Sequence, residues 1–539
     1  MTPVIDLAVR RRWKAPAEHG SALLEPLPSA ASGLLSKNSR LIREFDCDLQ
    51  GRSFASLISD ARRGLVEKAC RYTSSYRDVE FAFPTVGTQI VMAGHQPLLF
   101  HSGVWFKNFV LSALAKNNCA QAINLLIDND TVSQASIRVP TGSVTAPRIE
   151  SVQFDLSTNA MPLEQRRLCD IDMMKSFDER VRGAISPLIR DPLVTELWKP
   201  IDRVVSETPN LGQCLARLRH KLEGAVGLKT LELPLSHVCE APPFQWFVSH
   251  LLAHLPCFWE IHNALLAEYR QINRVRSRTH PVPELTTDDD WLEAPFWVWS
   301  DEEPVRQRLF ARSFRDEVQL RWGSDRLANL PLSEHRDANR SVDCLQQLAG
   351  QGVKIRPRAL ITTMYARLFL SDLFVHGIGG AKYDELTDSI AARFFGLRPP
   401  EFVTATATAK LPLPMLQVSD NDLRFIDRKL RDVRFHPETF VNLNGADGQT
   451  VALISEKNQW LGKNFPGVNQ KQRHDSICRI NEELQATIAK KHRELAEERT
   501  KIMGQLKIQQ ILGSREFSFC LFPKETLLPC LLELSEGET

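Results

Sequence analysis

Apolar and polar positions change period several times along this chain, and each change marks an element. Thr88-Gln-Ile-Val-Met-Ala93 is a short apolar run, and Gly94-His95-Gln96-Pro97 breaks it. Apolar residues then recur at helical spacing from Val104 to Lys116, and Ala122 to Ile127 forms a second apolar run that ends in Asp128-Asn129-Asp130. Two such runs joined by a helix predict a β-α-β unit in a parallel sheet, with its strands neighbours. Upstream, Ala15 to Ser36 reads as a Pro/Ser/Ala-rich loop and Phe54 to Tyr72 as a helix. Downstream, Leu211 to Leu222, Phe247 to Leu255 and Ile261 to Ile272 carry apolar residues at three-and-four spacing, Pro281 to Asp290 reads as a linker, and Ala294 to Trp299 is strand-like. Arg306 to Arg312 and Val318 to Trp322 alternate as a hairpin would, with a turn near Ser313 to Asp316.

After Ile355-Arg356-Pro357-Arg358 a helical run is predicted through Phe374, followed by His376-Gly377-Ile378-Gly379-Gly380-Ala381-Lys382-Tyr383 and a helix over Leu386, Ile390 and Phe394 that stops at Gly396. Ser419-Asp-Asn-Asp422 has the form of a capping box, opening a helix with Leu423, Ile426, Leu430 and Val433 on one face and His436-Pro437 at its end. A second, longer helix is predicted from Gln472 to Leu512, its seam formed by Ile477, Ile480, Leu484, Ile488, Leu495, Ile502 and Leu506. The two predict an antiparallel coiled coil. Glu516 to Phe522 alternates and should return to the core.

The fold class expected is α/β. A Rossmann-like parallel-sheet core occupies residues 1–160 and 341–415, with an inserted α+β region at 161–340, the coiled coil at 416–512 and a return segment at 513–539. The length of 539 residues suits several such units, and 43% hydrophobic residues are ample for a large core. Lys+Arg 67 against Asp+Glu 65 leaves +2, no electrostatic footprint for nucleic acid or an anionic membrane. Small-molecule substrates are expected instead. Arg10-Arg11-Arg12 is followed by Trp13-Lys-Ala-Pro rather than an apolar stretch, and no run approaches a spanning helix, so a cytoplasmic location is expected. Eleven cysteines without a Cys-x-x-Cys predict reduced, mostly buried thiols.

Ligands of open α/β sheets bind beyond the carboxyl ends of the strands, so His95, Gln96, His101, Asp128, Asn129 and Asp130 should converge on one crevice. His95, Asp128 and Asp130 are the catalytic candidates: a histidine relays protons and a carboxylate binds or deprotonates an amine. Gln96, His101, Asn129 and Arg356 are substrate-binding candidates. So are Gly377, Gly379, Gly380, Lys382 and Tyr383, because backbone N–H groups at the start of the following helix suit a phosphate or carboxylate. The Gly-x-Gly-Gly spacing departs from a dinucleotide fingerprint. Each feature also has a plainer reading: a histidine bonding a loop carbonyl, aspartates capping a turn, glycines permitting one, and surface arginines. His250, His254, Cys257 and His262 have metal-ligand residue types, but Pro256 interrupts them and no general-base glutamate stands between His250 and His254, so no metal is expected.

Ala93-Gly94-His95-Gln96-Pro97-Leu-Leu-Phe100-His101-Ser-Gly103, the Asp-rich strand end, Ile355-Arg356-Pro357, the Gly379-Gly380 loop and the coiled coil follow the order found in the bacillithiol-biosynthesis cysteine-adding enzymes, which this chain resembles. The resemblance covers most of the chain in layout and these segments in detail. It implies a ligase that joins the carboxyl group of cysteine to the amine of a glucosaminyl-malate acceptor. It leaves an adenine nucleotide as a candidate cofactor and a homodimer as a candidate assembly. The family's Gly-Gln-Gln stands here as Gly94-His95-Gln96, its next glycine as Leu98, and its acidic-His-Asp strand end as Asp128-Asn129-Asp130, so a divergent branch with another amine acceptor is implied. The His-x-Gly-His signature of nucleotidyltransferases is absent. The rival reading is a non-catalytic nucleotide or metabolite binder whose coiled coil is an assembly surface.

Overall fold

A computed structural model describes residues 13–78, 87–462 and 469–537; Arg10-Arg11-Arg12 lie outside the described residues. The chain is mixed α/β and divides into two compact units, one of residues 1–139, 150–410 and 515–539, the other of residues 140–149 and 411–514.

The first unit is organised by a six-stranded sheet. Its order is Ser21–Glu25, Val403–Thr408, Leu373–His376, Ile90–His95, Gln121–Leu126, Leu231–Pro234, and all neighbours are parallel except the first pair. Ile90–His95 and Gln121–Leu126 are parallel neighbours, as the two apolar runs predict, with Ile90 opposite Gln121 and His95 opposite Leu126. Ile90, Val91, Met92 and Ala93 are all buried because both faces of the sheet are covered, which explains a continuous apolar run in place of alternation. The helix between them, Ser102–Asn117, buries Trp105, Phe106, Phe109, Val110 and Leu111, too many directions for one face, so it is enclosed all round. Gly103 permits this: a Cβ there would lie 2.4 Å from the Ala407 carbonyl oxygen of the neighbouring strand.

Several expectations change. Ala15 to Ser36, expected as a loop, contains the Ser21–Glu25 strand and the start of the Pro28–Arg43 helix, whose Pro28 sits in the first turn where a missing N–H is harmless. The region 161–340 supplies the Leu231–Pro234 edge strand of the main sheet and also a separate antiparallel sheet. That sheet runs from Thr287–Asp288 through Trp291–Ser300, Gln307–Phe314 and Glu317–Trp322 to Asp325–Leu330, with Val353–Pro357 paired to Trp291–Ser300. The helical run expected through Phe374 ends earlier: Ala359–Tyr365 is α-helical, Ala366–Leu370 is a π-turn, and Phe374 lies in the Leu373–His376 strand. The Ile378–Phe395 helix ends at Gly396 with φ +68°, as its position implies. Of the eleven free cysteines only Cys214, Cys239 and Cys520 are buried. No helix among the described residues is long and apolar enough to cross a membrane.

The second unit is helical. Asp420–Phe435 opens with the capping box, the Asp422 carboxylate accepting from the Ser419 N–H at 2.7 Å. The long second helix is two: Gln470–Thr487 and Ala489–Leu512, broken at Ile488 (φ −110°, ψ 17°). A further helix, Gly448–Leu461, fills the connection that the sequence left open. The break divides the apolar residues into two cores. Ile426, Val433, Ile488 and Leu495 form one, with Leu430 beside them, whereas Leu484 packs with Ile480 and Leu453 in the other.

Candidate active site

A cavity of about 730 Å³ opens beyond the carboxyl ends of Ile90–His95 and Leu373–His376. These are the strands between which the order reverses: successive strands run to one side through Gln121–Leu126 and Leu231–Pro234, and later ones to the other through Val403–Thr408. At such a reversal the loops diverge and leave a crevice. Two helices begin at it, Ser102–Asn117 and Ile378–Phe395: both turn a positive dipole end toward the space, and the second, which has no side-chain cap, also offers backbone N–H groups of its first turn.

Ten of the twelve residues picked from the sequence line this cavity: His95, Gln96, His101, Asn129, Asp130, Gly377, Gly379, Gly380, Lys382 and Tyr383. Gln96 Nε2 donates to Asp130 Oδ2 at 2.7 Å, and Arg306 Nη1 lies 3.1 Å from Asp130 Oδ1. Arg306 is held over the Trp297 ring, 4.4 Å from its centroid. His95 Nδ1 lies 3.2 Å from the Gln96 carbonyl, so that nitrogen carries the hydrogen and Nε2 keeps a lone pair. Burial, reinforced by Lys107, pushes the His95 pKa down to about 3, so the ring is neutral at physiological pH. Asn129 Nδ2 donates to the Pro357 carbonyl at 2.8 Å, while its buried Oδ1 has no partner. His101 has a structural task too: its Nδ1 accepts from the Gly103 N–H at 3.1 Å and caps the Ser102–Asn117 helix.

Asp128 and Arg356 do not line the cavity. Asp128 accepts from the Ser236 N–H at 3.0 Å and the Ser236 hydroxyl at 2.5 Å, tying the end of Gln121–Leu126 to the helix after Leu231–Pro234. Alternation along a strand would put Asp128 and Asp130, two residues apart, on one face, and they part because the strand has already ended at Leu126. Burial pushes the Asp128 pKa up. Arg356 is buried in ion pairs with Glu164 at 3.0 Å and Glu240 at 3.3 Å. Both are structural.

Three groups escaped the sequence reading. Lys107 projects from the enclosed helix into the cavity, 4% exposed, with Nζ donating to the Gly94 carbonyl at 2.8 Å. Burial lowers its pKa to about 8. Its signal was a lysine amid Trp105, Phe106, Phe109 and Val110. His376 also lines the cavity, with Nε2 2.7 Å from Asp384 Oδ2. Gly380 is needed there, because a Cβ would lie 2.7 Å from His376 Nδ1. Arg515 reaches the cavity from the return segment and donates to Thr406 Oγ1 at 3.2 Å. The metal-like histidines are otherwise engaged: His250 Nδ1 and His254 Nε2 share Gln50 Oε1, at 3.1 and 3.0 Å.

The arrangement has two chemical sides. Asp130, the Asn129 Oδ1 and the lone pair of His95 are acceptors suited to an amine or hydroxyl. The helix starts, Lys107 and Lys382 are donors suited to an anion. No protein-family model matches the chain, and no curated protein matches it in sequence.

Proposed function

We propose that this chain is an amide-forming ligase acting on small molecules, which joins the carboxyl group of cysteine to the amine of an amino-sugar conjugate, as its resemblance to the cysteine-adding enzymes implies. The observation that carries this reading is the convergence of His95, Gln96, Asn129, Asp130 and the Gly377–Gly380 loop on one cavity. The strand order is read as a Rossmann-like core, and the pairing of Asp420–Phe435 with Ala489–Leu512 as a short antiparallel coiled coil in a homodimer-forming, cytoplasmic protein. Asp130, steadied by Gln96 and Arg306, receives the ammonium of the acceptor and takes its proton. The neutral His95 accepts a hydrogen bond from the nucleophile, and the glycine-loop amides hold the anionic end of a substrate. Joining a carboxylate to an amine requires activation of the carboxyl group, so an adenine nucleotide is assigned as co-substrate: its phosphoanhydride bond breaks as the carboxylate takes up the phosphorus group, and the carboxyl oxygen leaves with that group when the amine forms the amide.

The test is direct. Purified protein is incubated with cysteine, glucosaminyl-malate and ATP, and thiol-conjugate formation is followed by mass spectrometry, alongside the low-molecular-weight thiols of cells with and without the gene. A conjugate that requires the protein supports the ligase. A chain that binds ATP or acceptor and turns over neither is a binding protein.

A further inference from the structure

Six Lys or Arg side chains besides Lys107 are buried among the described residues, and each has a carboxylate against it. Arg166 has Asp155, Arg217 has Glu207, Arg219 has Glu223 and Glu232, Arg356 has Glu164, Arg367 has Asp384, and Lys457 has Glu438. Lys107 alone has none: its ammonium meets one backbone carbonyl, that of Gly94, and two of its three N–H bonds are left over. Its surroundings aggravate this. His95, His101 and His376 stand around it, with Arg515 and Glu516 beyond His101 and Asp384 beyond His376, while Lys14, Lys382 and Asp130 are the other charged groups on the cavity wall. Two helix N-termini add positive potential. Elsewhere among the described residues no buried cation lacks a neutralising carboxylate, and an uncompensated buried charge is among the more destabilising features a fold can carry.

We propose that the missing counter-charge is a substrate: Lys107 binds an anionic oxygen group, phosphate or carboxylate, that enters between the first turns of the Ser102–Asn117 and Ile378–Phe395 helices. The glycine loop lies against the lysine, since a Cβ on Gly377 would sit 3.8 Å from Lys107 Cδ, so one group can take hydrogen bonds from Nζ and from the loop amides together. Because burial holds the free amine near pKa 8, the anion restores its proton on docking, and binding above that pH is coupled to proton uptake. The inference rests on the cavity being the substrate site of the proposed ligase, but not on the amide chemistry.

The experiment titrates the full chain and Lys107→Met with inorganic phosphate and, separately, succinate, by calorimetry in buffers of different ionisation enthalpy from pH 7 to 9.5. The wild type should bind one or both at millimolar concentration, with affinity falling above pH 8 and buffer-dependent heats there. Phosphate alone points to a phosphoryl-bearing ligand and succinate alone to a carboxylate. Lys107→Met should bind about 10- to 100-fold more weakly, the loss of one charge-assisted hydrogen bond, without the pH slope. In the absence of any anion, Lys107→Met should also unfold at a higher temperature than the wild type, since it removes an unneutralised charge. Three results overturn the proposal: a wild type that binds neither anion, a variant with unchanged or equally pH-dependent affinity, or a variant that is less stable or unfolded, which would mean that the chain itself satisfies the ammonium. Anion binding without conjugate formation removes only the ligase reading, and conjugate formation without anion binding removes only this one.

Discussion

Asp128 and Asp130 are two residues apart in one turn, and the structure gives them opposite tasks that substitution can separate. Asp128→Ala removes the acceptor of both the Ser236 N–H and the Ser236 hydroxyl, in a position 7% exposed. A buried donor left unsatisfied costs about 1–3 kcal/mol, and the hydroxyl can turn to another acceptor whereas the N–H cannot, so the expected loss is about 2–4 kcal/mol. Asp128→Asn keeps one oxygen for the N–H and should cost about 1 kcal/mol. The Asp130 side chain is 39% exposed and its ion pair is with a partly exposed Arg306, so Asp130→Asn should change stability by less than about 1 kcal/mol. In the ligase assay the order reverses: Asp130→Asn should lower the rate by about 10²- to 10⁴-fold, as loss of a proton-transfer group does, with Asp128→Asn close to wild type. Urea unfolding followed by circular dichroism, run beside the conjugate assay, reads both axes. Equal destabilisation by Asp128→Ala and Asp130→Asn, or near-wild-type turnover in Asp130→Asn, would refute the division of roles.

Gly103→Ala places a Cβ 2.4 Å from the Ala407 carbonyl and should cost about 1–3 kcal/mol, measured as a lowered unfolding midpoint, because backbone on both sides must give way. Burial holds His95 and His250 at about 3 and His262 at about 4, below their unfolded values. As pH falls below about 6.5 the unfolded chain therefore takes up protons that the folded chain does not, and stability should drop by up to roughly 4 kcal/mol per pH unit until the folded values are reached. A melting temperature that is flat from pH 7 to pH 5 would contradict this. Ile488→Asp buries an unpaired charge among Ile426, Val433 and Leu495 and should unfold the helical unit, detectable by limited proteolysis between residues 411 and 514.

The parallel strand pair was legible because both faces of Ile90–His95 are covered and the strand keeps its apolar run free of helical spacing. The ends of the Ile378–Phe395 and Asp420–Phe435 helices were legible because Gly396 and Ser419 mark them locally. What escaped depends on distance. Ser21–Glu25 becomes a strand because Val403–Thr408 lies beside it, and nothing within Ala15 to Ser36 encodes that partner. Ile488 continues the apolar seam in sequence yet interrupts the helix, because its side chain serves one core and Leu484 the other. At the site, Asp128 looked as chemical as Asp130, since only the fold tells which carboxylate finds a buried hydroxyl. Arg356 misled for the same reason. Lys107 was passed over because an isolated lysine in a helix is ordinarily solvated, and here the helix is enclosed.

The pairing of Ser21 with Thr408 joins residues 387 positions apart in the chain, so the first waits long for its partner. Until Val403–Thr408 is made, Ser21–Glu25 has no ladder to enter, and until Ser21–Glu25 returns, Val403–Thr408 presents a bare edge of N–H and C=O groups. Loop closure over most of a chain makes this step late and slow. The opposite edge needs no such guard, because Leu231–Pro234 is four residues long and ends in a proline that cannot donate to another strand. The Ser21–Glu25 strand is in effect a cover for a surface that would otherwise recruit other chains, and truncation beyond Glu25, which also takes Trp13, Lys14 and Ala15 from the cavity wall, should yield protein that aggregates during expression.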